Sequence, residues 1–96
     1  MLTIEEREEI LATAVAGIPR VAQLIAAIPT EQRAKALDAA RRSYLQTVQD
    51  LGYGEAAGEE WVSDLMRYLR SEVVTAVVEM VRRGRGGSAP RRAASA

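Results

Sequence analysis

Apolar residues recur along this chain at three- and four-residue spacing, in four runs separated by glycine or proline. That period is the signature of amphipathic helices. The first run, Ile4, Leu11, Val15 and Ile18, shares one face of a helix over about 4–16. Thr3 with Glu6 three positions on predicts a capping box, in which the hydroxyl accepts a backbone N–H and the carboxylate accepts one in return. Glu5, Glu6, Glu8 and Glu9 complement the positive end of the helix dipole. Gly17 and Pro19 interrupt the run, and proline restricts the preceding Ile18 away from helical angles, which predicts a break or kink.

Pro19 can open a second helix at its first position. Val21, Leu24, Ile25 and Ile28 then form a wide apolar stripe over about 19–28, ending at Pro29, and the width predicts a well-buried segment. Thr30 is placed as the N-cap of a third helix, about 31–51, with Glu31 just after it. Leu37, Ala40, Tyr44, Val48 and Leu51 keep one face apolar, while Glu31–Lys35 and Asp38–Arg42 form favourable i,i+4 pairs on the polar side. Gly52 follows the last apolar residue, where a left-handed cap belongs.

A fourth helix, about 55–83, begins near Glu55, or near Glu59 with Gly58 as its cap. Trp61, Leu65, Tyr68, Leu69 and Ala76 make one apolar row, and Val62, Met66, Val73, Val77 and Met80 a second beside it. Residues 73–81 have strand-like composition, since β-branched residues favour sheets. Helix is the better reading, because Glu60, Asp64, Arg67, Ser71, Thr75, Glu79 and Arg82 supply polar positions every three or four residues and no second strand exists to pair with. On a helical wheel these apolar residues spread over roughly 200°, about twice the width that one buried face requires. The excess is expected to meet a second copy of the chain, another helical protein, or the first two helices. The expected interface is Val73, Val74, Val77, Val78 and Val81.

Composition narrows the chemistry. The 96 residues hold no cysteine and no histidine, which excludes disulfides, thiolate nucleophiles and the usual zinc ligand sets. Neutral net charge conceals a division. Residues 1–81 carry thirteen acids and eight bases, and residues 82–96 carry Arg82, Arg83, Arg85, Arg91 and Arg92 with no acid. An acidic body with a basic tail can bind itself, an acidic partner or a polyanion. From Gly84 on no apolar side chain exceeds alanine, so 84–96 is expected to be a disordered tail on a bundle domain of residues 1–83. The acidic opening is unlike the basic start of a signal peptide. The uncharged windows 10–19 and 21–30 are divided by Arg20, so a buried segment is expected, with no membrane contact and a cytoplasmic location. Twelve arginines against one lysine fit a GC-rich bacterial genome.

Few residues suggest catalysis. Glu5 with Glu8 and Glu6 with Glu9 give E-x-x-E twice, and carboxylates so spaced share a face that could hold a divalent cation. The all-helical nucleotide pyrophosphatases pair such a motif with E-x-x-D, and that second half is absent: Lys35, Thr47 and Trp61 stand three before Asp38, Asp50 and Asp64. The cluster reads as a helix start matched to its dipole. So does a second patch, Glu55, Glu59, Glu60 and Asp64. Trp61, Tyr44 and Tyr68 are expected in the core, not as a stacking platform for bases. No phosphate-binding glycine loop or nucleophile elbow is present.

These features predict a small all-α bundle of three to four helices. Its expected role is non-enzymatic, without a metal or other cofactor: an interaction or regulatory protein that works through helix–helix contacts as a homodimer. Nucleic-acid association through the arginine tail is the first alternative, and a carboxylate-based metal-dependent hydrolase the second.

Overall fold

The computed structural model describes residues 2–95, with side chains as far as Gly84. Four helices follow in order, α1 (Ile4–Ala16), α2 (Ile18–Ala27), α3 (Thr30–Asp50) and α4 (Glu55–Ser95), with no strand among the described residues. The β-branched stretch 73–81 is therefore helical. The tail expected over 84–96 falls, from residue 85, outside the residues with described side chains.

Helix α1 starts as its sequence predicts. The Thr3 hydroxyl accepts the Glu6 N–H at 3.1 Å, and the Glu6 carboxylate accepts the Thr3 N–H at 3.0 Å. The passage into α2 differs from expectation. Ile18 is the first residue of α2 and not a non-helical link, and the interruption is confined to Gly17. Gly17 keeps right-handed angles, donates to the Thr13 carbonyl and accepts from the Val21 N–H, so the hydrogen-bond ladder carries across it. Proline in the first turn of α2 removes an N–H that has little intrahelical use there. Ile18 is fully buried, and that burial holds the segment helical against the local preference.

The core is built where α2 and α3 pack on α4. It gathers Ile18, Ala22 and Ile25 from α2, Val48 from α3, and Val62, Leu65, Met66, Leu69 and Val73 from α4. Each large side chain fully removed from water contributes about 1.5–3 kcal/mol. The two apolar rows of α4 meet in this core except at Tyr68 and Met80, which are exposed. On α2 the expected stripe is covered in part: Ile25 is buried, Val21 and Ile28 are half-buried and Leu24 is exposed, while Ala22 and Ala26 are buried beside Ile25. Two alanines let the α2 backbone sit close to its neighbours, so the small residues face inward and Leu24 turns out. Arg33 donates to the Ala26 carbonyl at 2.9 Å and satisfies an acceptor at the end of α2.

Pro29, not Thr30, occupies the N-cap position of α3, and no side chain caps it. Along α3, Leu37, Ala40 and Tyr44 are half-buried, and Val48 and Leu51 are buried. Of the two expected ion pairs, Asp38–Arg42 forms at 3.4 Å between exposed groups. Such a pair adds only a few tenths of a kcal/mol. The end of α3 is a Schellman turn: Gly52 has φ +85°, its N–H donates to the Gln49 carbonyl, and the Tyr53 N–H donates to the Val48 carbonyl.

Gly58 is not the cap of α4, which starts at Glu55. It is buried, and a Cβ built there would lie 3.0 Å from Val48 Cγ2. Its missing side chain sets the approach of α4 to α3. Gly58→Leu overpacks this crossing and is expected to destabilise the fold by about 1–3 kcal/mol. Gly52→Ala places a Cβ in the left-handed region and is expected to cost about 1–2 kcal/mol. Urea unfolding followed by circular dichroism measures both, and an unchanged midpoint in either variant contradicts the role given to that glycine.

Candidate protein-interaction surface

Beyond Val73, α4 is only partly covered. Val73 is 7% exposed and belongs to the core, and Val77 is half-buried against it. Both were expected at an intermolecular interface, and the structure gives them to the protomer. The remaining members lie open: Val74 is 63% exposed, Val78 43% and Val81 47%, with Met80 nearby in similar exposure. Val74, Val78 and Val81 are spaced by four and three residues and so share one stripe. The core takes Val73 and Val77 on one side of α4 and leaves this stripe, on another side, to solvent. Arg82 and Arg83 follow it, both exposed. Arg85, Arg91 and Arg92 have side chains outside the described residues.

A second uncovered surface lies on α1, which buries none of its residues fully. Leu11 touches the core, but Ile4 is 71% exposed, and Ile10 and Val15 are also exposed. Leu11 packing and the Arg7 guanidinium, 5.9 Å from the centroid of the Tyr53 ring, hold α1 in place. Arg7 is thereby half-buried, while Glu5, Glu6, Glu8 and Glu9 face water. The outward charge of this helix start is wholly negative. The sequence placed Ile4 and Val15 on a buried face, and no spacing rule reveals that α1 lacks a partner there.

Of the aromatic residues expected in the core, Trp61 and Tyr44 are half-buried and meet edge to face, centroids 6.4 Å apart. Burial pushes the Tyr44 hydroxyl above its usual range. Tyr68 is exposed and stands apart from them.

An open cleft of about 510 Å³ lies between α2 and α4, lined by Pro19, Gln23, Glu72, Thr75, Glu79 and Arg83 among others. The sequence offered no signal for it beyond the polar Gln23 on an apolar helix. No three acidic or other metal-ligating side chains converge among the described residues. Glu6 is engaged in its capping box, and Asp64 of the second acidic patch meets Arg67 at 3.4 Å. Neither acidic group gathers a ligand set. The segment Ile4–Ala27 is long and apolar enough to cross a membrane, with a window of mean hydropathy 1.6, of which 22% is buried. No family model, no curated protein and no solved structure matches the chain.

The Thr3 backbone and hydroxyl hold the Glu6 carboxyl below its ordinary range. A carboxylate with a lowered folded pKa stabilises the fold above its unfolded pKa, and that contribution is lost as pH falls through the folded value. The stability difference between the wild type and Glu6→Gln is therefore expected at neutral pH and to vanish on acidification. Thermal unfolding of the two chains across the carboxylate range tests this, and a pH-independent difference contradicts it.

Proposed function

We propose that this chain is a small non-enzymatic interaction protein of the bacterial cytoplasm that works through helix–helix contacts as a homodimer. The observation that supports the reading is the open stripe Val74, Val78 and Val81 on a side of α4 turned away from the core. Buried apolar area contributes about 25 cal/mol per Å². A domain of this size commonly gains stability by association, because its own core is small. The stripe lies on a side of α4 that packs neither α2 nor α3, and its four- and three-residue spacing is one that a further helix can meet.

Sedimentation equilibrium of the full chain tests the proposal. The expected wild-type mass is twice that of one chain, and Val74→Asp with Val78→Asp is expected to give one chain with unchanged helicity. Val74→Ala with Val78→Ala, which keeps helix propensity high, is expected to weaken association at least tenfold. A wild type that stays monomeric at high concentration overturns the proposal, as does dimerisation indifferent to both pairs of substitutions.

A second reading is nucleic-acid association. It is favoured by Arg82 and Arg83, adjacent and exposed, followed in sequence by three further arginines. Such binding falls steeply with salt. It is expected to disappear when the chain is cut after Arg83, and retention of binding by the shortened chain argues against the tail as its source.

A further inference from the structure

The two uncovered apolar surfaces of this chain carry opposite charge. On α1, exposed Ile4 and Val15 share a side with Glu8 and lie close to Glu5, and the one arginine of that helix is held against Tyr53. On α4, exposed Val74, Val78 and Val81 are flanked by exposed Arg70 and Arg82, while Arg83 turns to the cleft with Glu72 and Glu79. Within the protomer α1 packs chiefly on α2, and its Ile4 stays open. We propose that α1 of one copy docks on the Arg70–Arg82 stretch of α4 in a second copy, and that the second copy returns the same contact. The proposal rests on the self-association put forward above and names the surface that meets the valines.

Charge decides between this pairing and the obvious rivals. Antiparallel α4 helices with Val74 set against Val78 bring Arg70 opposite Arg82. Parallel α4 helices bring Arg82 and Arg83 onto their own copies. Parallel α1 helices set glutamate against glutamate. Like charges at an interface are repulsive and work against each of these pairings. Pairing α1 with α4 matches apolar to apolar and acid to base along one contact. Because each copy owns both halves, the exchange can close as a two-fold dimer. The contact leaves the core untouched, since Ile4, Val15, Val74, Val78 and Val81 all lie outside it.

Charge reversal tests the pairing in the full chain. Glu5→Arg with Glu8→Arg leaves the Thr3–Glu6 capping box intact, and Arg70→Glu with Arg82→Glu changes two exposed residues outside the core. Either pair alone is expected to give monomer by sedimentation equilibrium. Mixed one to one, the two variants are expected to form a heterodimer, because each supplies the charge that the other lacks. One chain carrying all four substitutions is expected to dimerise again. Wild-type association is also expected to weaken as salt rises. A monomeric wild type overturns this inference together with the proposal it rests on. A wild-type dimer that persists in the Glu5 and Glu8 variant overturns this inference alone, as does failure of both the mixture and the four-substitution chain to associate while each keeps wild-type helicity.

Discussion

The packing of α2 on α4 is the contact from which the rest of this structure follows. Ile18, Ala22 and Ile25 meet Leu65, Leu69 and Val73 in one buried cluster. Among the described residues it is the most extensive contact between two helices. It holds Ile18 helical one residue before a proline, and it fixes which face of α2 points inward. It also sets how far along α4 the core extends. Past Val77 the helix continues with no second layer of its own chain to cover its valines.

This limit turns a stability question into a functional one. A core of nine buried side chains supported by half-buried neighbours is modest for a helical domain. The chain nevertheless keeps apolar residues on α1 and on the end of α4, where they add little to the protomer. Exposed valines cost little singly. Three in register on one helix, next to two arginines, form a surface that can be recognised. The acidic outer side of α1 has the complementary character. Arg7 is needed for that character: turned out to solvent it would pair with its glutamate neighbours, but the Tyr53 ring holds it inward.

Much of the fold was legible in the residues. The capping box at Thr3 and the left-handed Gly52 each follow from a short-range rule, and both appear where the rule puts them. The four-helix count also follows from periodicity. What periodicity could not show is which side of an apolar helix finds a neighbour. Leu24 and Ile4 lie on good apolar stripes and still face water, because alanines take the contact on α2 and α1 has no partner on its outer side. Gly58 misled for a related reason. Glycine near a helix start suggests a cap, whereas here its value lies in the space left for Val48. The α4 face was readable in outline. Its width pointed to uncovered surface, but only the placement of α2 and α3 shows that Val73 and Val77 lie on the covered side and Val74, Val78 and Val81 on the open one.

The stretch from Ile4 to Ala27 also bears comparison with a membrane segment, and the energetics favour a protein partner. Insertion would withdraw Ile18, Ala22 and Ile25 from the core and leave Leu65, Leu69 and Val73 open to water. Each large side chain so exposed costs about 1.5–3 kcal/mol. Arg20 would enter the hydrocarbon near the middle of the apolar window, at about 2.5–3.5 kcal/mol more. The glutamates at the start of α1 would meet an anionic bilayer surface with the wrong sign. A second copy of the chain asks for none of this. In the proposed pairing it would cover Ile4 and Val15 where they stand, keep α2 in place, and set arginines against the same glutamates that a membrane would repel.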